Sequence, residues 1–109
     1  MSTKPPAEFE LAVLLSVARL ADDAYSLRIA RDVSAARGHE YSVGAVHTAL
    51  QRIEDKGSVR SWMSEPLPVR GGRSRRHYEL TAAGKRALRD AEARTARVWA
   101  GVDLRGKPA

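Results

Sequence analysis

The chain has 109 residues, of which 43% are hydrophobic and 29% charged, with a formal net charge of +6. That length fits one domain with a small core, and the basic balance, with an isoelectric point of about 10.3, points to a polyanionic partner, nucleic acid ahead of an acidic membrane surface. The absence of cysteine excludes disulfides and Cys-based zinc sites, His39, His47 and His77 lack metal-ligand spacing, and no stretch approaches the roughly 20 apolar residues that span a bilayer.

Residues 1–7, ending after Pro5-Pro6, read as a disordered lead-in with neither the apolar run nor the cleavage site of a signal peptide, so a cytoplasmic location is expected. A first helix follows from about Glu8 to Leu20. Phe9, Leu11, Val13, Leu14, Leu15, Val17 and Leu20 cover more than one stripe of it, as expected of a helix buried on most sides. Two alternatives follow: a central core helix, or one packed on the core by one side and on a partner subunit by the other. Asp22-Asp23 can cap a second helix, about Ala24 to Arg37, with Tyr25, Ile29 and Val33 inward and Gly38 as its stop.

Ser42 suits the N-cap of a third helix running to Lys56-Gly57. Val43, Val46, Leu50 and Ile53 form its apolar stripe. Gly44, His47, Thr48, Gln51 and Asp55 lie on the other side, with Arg52 beside them. A two-stranded hairpin follows, Val59 to Met63 and Arg75 to Leu80, marked by period-two alternation. Pro66 and Pro68 belong to its loop, and Gly71-Gly72 to its tip. Between Glu65 and Glu79 there is no acid, whereas Arg70, Arg73, Arg75, Arg76 and His77 are potential positive charges. Thr81 can cap a fourth helix, about Ala82 to Val102, whose Gly84 would allow close approach to a neighbouring backbone. Its stripe of Leu88, Ala91, Thr95, Val98, Trp99 and Val102 must be covered, either by its own domain or by the first and fourth helices of another copy. Residues 103–109 read as a loose tail.

The expected fold is therefore mainly α with a small β-hairpin: a winged helix-turn-helix over residues 8–80 and a long C-terminal dimerisation helix over 81–102. A polar helix face beside a cationic wing is a device for holding DNA. Ser42, Gly44, His47, Thr48, Gln51 and Arg52 are the candidate base and backbone contacts of the reading helix. Glutamine can pair bidentately with adenine and arginine with guanine. Arg70, Arg73, Arg75 and Arg76 are the candidates for phosphate or the minor groove. Leu11, Leu15, Leu88, Thr95, Val98, Trp99 and Val102 are the candidates for an isologous dimer interface. Nothing suggests catalysis, a cofactor or a metal: there is no Cys nucleophile, no His–carboxylate spacing and no Gly-rich phosphate loop.

In order and spacing, several stretches resemble the PadR-like transcriptional regulators. They are Glu8-Phe9-Glu10-Leu11-Ala12-Val13-Leu14-Leu15, Asp22-Asp23-Ala24-Tyr25, Ser42-Val43-Gly44-Ala45-Val46, Leu50-Gln51-Arg52-Ile53-Glu54-Asp55-Lys56-Gly57, Arg70-Gly71-Gly72-Arg73 and Tyr78-Glu79-Leu80-Thr81-Ala82-Ala83-Gly84. The likeness covers about residues 8–102 and is to the short form with one C-terminal helix. Departures are His47 where tyrosine is common, Ser58 where an apolar residue is common, and Ser26 where glycine is usual. The resemblance implies a homodimeric repressor on an inverted-repeat operator, joined through its first and C-terminal helices. It also implies a role for an aromatic residue at the dimer centre: Trp99 is the candidate contact for a small planar apolar effector, with plain packing as the alternative. The competing functional classes are a nucleic-acid module without operator specificity and a winged protein-interaction adaptor.

Overall fold

The computed structural model describes residues 7–65 and 74–106. Its order is α1 (Glu8–Leu20), a short 3-10 turn (Ala21–Asp23), α2 (Ser26–Arg37), α3 (Val43–Asp55), β1 (Val59–Met63), β2 (Arg76–Leu80) and α4 (Ala82–Trp99). The expected architecture, mainly α with one hairpin, is the observed one.

Helix α1 is the centre of the core. Val13, Leu14 and Val17 are buried on it and meet Ile29, Ala30 and Val33 of α2 and Val46, Leu50 and Ile53 of α3. A second side of α1 stays open, with Leu15 still 42% exposed. Glu10 is buried on the core side, one turn before Val13 and Leu14, and its carboxylate accepts from Lys56 Nζ at 2.7 Å, tying α1 to the end of α3.

The helix ends follow local chemistry, with one correction. Ser42 Oγ accepts from the amide of Ala45 at 3.0 Å, and Thr81 Oγ1 accepts from that of Gly84 at 3.1 Å, so both expected N-caps form. Gly38 takes the left-handed conformation at the end of α2 with φ of 64°. The aspartates do not cap α2. They lie in the 3-10 turn, Tyr25 occupies the N-cap position without a side-chain cap bond, and Asp23 reaches forward to Arg28 at 3.0 Å. The chain is diverted because Ala24 and Tyr25 are drawn against the hairpin: the amide of Tyr78 donates to the carbonyl of Ala24 at 2.9 Å, and Tyr25 bridges His77. Tyr25 therefore leaves the inward face of α2, where its spacing to Ile29 had put it.

Two further expectations are corrected. Val43, in the first turn of α3, is 44% exposed. The buried stripe is Val46, Ala49, Leu50 and Ile53. Helix α4 stops at Trp99: Ala100 turns to extended backbone and Gly101 has φ of 79°, so Val102 lies beyond the helix. The hairpin is antiparallel, with Ser61 opposite Tyr78 and Trp62 opposite His77. Tyr78 is 2% exposed, and burial pushes its hydroxyl above the usual tyrosine value. Among the described residues no helix is long and apolar enough to cross a membrane. Residues 1–6 of the expected lead-in, the wing tip with Pro66, Pro68, Arg70, Gly71-Gly72 and Arg73, and residues 107–109 of the expected tail lie outside the described residues.

Candidate functional site

Burying Val46, Ala49, Leu50 and Ile53 leaves the opposite face of α3 to solvent. Ser42, Gly44, His47, Thr48, Gln51 and Arg52 are all exposed. Gly44 opens the first turn of this face. A Cβ there would meet only Ser42 Oγ, at 3.9 Å, so nothing inside the molecule requires glycine. Thr48 Oγ1 donates to the carbonyl of Gly44 at 3.1 Å, which fixes its rotamer and leaves its lone pairs outward. Gln51 Nε2 donates to Asp55 Oδ1 at 3.0 Å. Among the described residues, Arg52 has no carboxylate partner.

The hairpin is held to the helices from two sides. On one, an isolated bridge between Tyr25 and His77 ties the segment before α2 to β2. On the other, Ser61 Oγ donates to Glu54 Oε2 of α3 at 2.6 Å and accepts from Arg76 Nη1 at 2.9 Å. Arg76 is thereby set beside α3. Arg75 goes the other way, its guanidinium 4.3 Å from the centre of the Tyr25 ring, a cation–π contact. His77 lies between Trp62, stacked with ring centres 5.7 Å apart, and Tyr25, edge-on at 5.8 Å. The ladder continues past β1 and β2, since the amide of Ser64 donates to the carbonyl of Arg75 at 2.7 Å. Arg60 and Glu79 neutralise each other across the strands. Arg75 and Arg76 have no carboxylate partner among the described residues, so their charge is available.

On the far side, α1 and α4 border an apolar groove of about 550 Å³. Five of the seven expected interface residues line it: Leu11, Leu15, Leu88, Thr95 and Trp99. Val98 does not and is 78% exposed, and Val102 falls past the helix end.

Spacing did not reveal the parts of Tyr25, Glu54 and Ser61, because their partners lie far away in sequence or in another element. The Gln51–Asp55 pair was visible in principle, as a polar pair four residues apart on one helix.

A solvent-facing polar helix, capped at its start and bonded through Ser61 to a hairpin with free arginines, defines a winged helix-turn-helix DNA-binding protein. The sequence matches the model of the Transcriptional regulator PadR-like family over residues 14–90, and the chain belongs to that family. It is thus a DNA-binding transcription regulator and not an enzyme.

Solved structures agree. RosR of H. salinarum is 26% identical with a TM-score of 0.70, over 89% of this chain and 80% of that one. A PadR family transcription regulator from hypervirulent Clostridium difficile is 28% identical with a TM-score of 0.57, over 81% and 88%. A PadR family regulator from Eggerthella lenta, 24% identical with a TM-score of 0.64 over 85% and 82%, shares the fold. No curated protein matches the sequence.

Proposed function

We infer that two copies of this protein bind an inverted-repeat operator and repress transcription from it. Helix α3 of each copy enters a major groove, where Thr48, Gln51 and Arg52 reach base edges, Ser42 and His47 flank them, and Gly44 lets the helix start approach the backbone. Arg75 and Arg76, with Arg70 and Arg73 toward the tip, take phosphate or the minor groove. The observation that carries this reading is the chain Glu54–Ser61–Arg76, which keeps a free wing cation beside the exposed face of α3.

The groove between α1 and α4 supports the homodimer. It leaves Leu15, Thr95 and Trp99 exposed, and a domain of this size gains core by sharing such a face with a second copy. The same groove supports a second role, binding a planar apolar effector against Trp99. Its volume falls within the roughly 300–1,000 Å³ of small-molecule pockets. Quenching of Trp99 fluorescence by planar apolar compounds, read in a Trp62→Phe background, tests that role. A signal unmoved by every compound removes it.

Selection of bound sites from a random duplex library tests the main reading. One enriched palindrome, with half-sites about one helical turn apart, is the expected result. Enrichment of no sequence would replace the regulator with a non-specific module, and weak binding independent of salt would favour a protein adaptor. Repression is tested by placing the selected site beside a reporter promoter: expression should fall when the protein is supplied.

A further inference from the structure

Asp55 is the last residue of α3 and is exposed. Its carboxylate stands where a negative charge is unfavourable twice over. It lies at the negative end of the helix dipole, and it shares the surface assigned above to a polyanion. No cation compensates it among the described residues. Its neighbour Lys56 turns instead to Glu10. The bond Asp55 does make is the one from Gln51 Nε2 to its Oδ1, at 3.0 Å.

That bond has a chemical consequence. A glutamine amide turned by half a revolution keeps its shape but exchanges donor for acceptor. A carboxylate accepts only, so Asp55 takes the NH2 end and fixes which way the amide faces. Held so, Gln51 keeps Oε1 as an acceptor and one N–H as a donor. Those are the two groups that adenine N6 and N7 require, in a defined order.

We propose that Asp55 is a positioning residue for base selection: its carboxylate orients the Gln51 amide, and its charge lowers affinity for duplex of every sequence. This deepens, and rests on, the assignment of α3 as the reading helix. Specificity is a difference of affinities: the charge weakens every complex alike, and the oriented Gln51 amide supplies the difference by which the matching site is recovered.

The test uses the full chain, the selected palindrome, all its single-base variants and a random duplex. The proteins are wild type, Thr48→Ala, Gln51→Ala, Asp55→Ala, Asp55→Asn and the double variant Gln51→Ala with Asp55→Ala. Asp55→Ala should reduce base preference at the Gln51 position of each half-site, from roughly fivefold or more toward none, and should tighten binding to random duplex. Asp55→Asn keeps the shape but can offer Gln51 either its oxygen or its NH2, so it should lose part of the base preference while still tightening random binding. Asp55→Ala added to Gln51→Ala should leave the base profile where Gln51→Ala put it.

If Gln51→Ala changes the profile and Asp55→Ala does not, the positioning role is wrong and the reading helix stands. If Asp55→Ala weakens all sequences alike, the residue only staples the helix, and the proposal is again wrong. If neither Gln51→Ala nor Thr48→Ala changes the profile, the reading face itself falls, and the proposal with it.

Discussion

The backbone of Ser58 lies against Gly84, so close that a Cβ on Gly84 would fall inside contact distance of the Ser58 carbonyl oxygen. That carbonyl also accepts from the amide of Thr81 at 3.1 Å, and Thr81 Oγ1 donates to the carbonyl of Gly57 at 2.6 Å. The start of α4 is therefore seated on the turn between α3 and β1. Gly84→Ala must push backbone from backbone, where no side chain can yield. A loss of about 1–3 kcal/mol is expected. Urea unfolding checks it, and an unchanged midpoint would mean that α4 docks elsewhere.

Ala21 has φ of 51° and ψ of −114°, the one positive φ at a non-glycine position among the described residues. It turns the chain out of α1 so that Ala24 can reach Tyr78. Strain of this kind costs on the order of 1–3 kcal/mol, partly offset in glycine by greater freedom of the unfolded chain. Ala21→Gly should stabilise the fold by about 1 kcal/mol, visible as a higher unfolding midpoint with an unchanged denaturant slope. A lower midpoint would contradict the argument.

The wing prediction distinguishes the two described arginines. Arg75→Ala and Arg76→Ala should each weaken binding to all DNA sequences and reduce the salt slope by roughly one, if each neutralises one phosphate. Tyr25→Leu should reproduce part of the Arg75→Ala effect, because it removes the ring under the guanidinium, and should leave the contribution of Arg76 intact. Salt titrations with a random duplex measure this. Unchanged slopes for both arginines would make the wing a solvated hairpin.

For assembly, sedimentation at micromolar concentration should give a dimer in the wild type. Leu15→Glu sets a charge in the α1–α4 groove, outside the core cluster. It should yield a folded monomer with weaker operator binding. A wild-type monomer at every concentration would remove the dimer, and a Leu15→Glu dimer would move its interface elsewhere.

Acid stability is expected to depend on Asp32. Bonding from Arg19, at 2.7 Å, holds its carboxyl below the ordinary value of 3.8 against the opposing effect of partial burial. A carboxylate with a lowered folded value stabilises the protein above its unfolded value and loses that contribution as pH falls through the folded one. Asp32→Asn should therefore lower stability at neutral pH and flatten its decline below about pH 4. Stability profiles of the two proteins that run parallel in acid would exclude the pair as a contributor.

Local chemistry made much of this protein legible from its residues. Ser42 and Thr81 mark helix starts because their hydroxyls satisfy amides within three residues, and Gly38 marks a stop because it tolerates the left-handed region. The period of two in Val59, Ser61 and Met63 announces a strand, and Val46, Leu50 and Ile53 announce the inner side of α3. With that side assigned, the polar side of α3 followed.

What tertiary structure alone decided depends on contacts that spacing does not encode. Tyr25 has helical spacing to Ile29 and Val33, yet backbone pairing to the hairpin pulls it out of α2, where it becomes the platform for Arg75. Val43 continues an apolar stripe, but the fold leaves it 44% exposed. Val102 continues the stripe of α4, but the helix has already ended at Trp99. Periodicity states which residues share a side of an element, and the extent of the neighbouring elements determines how much of that side is covered.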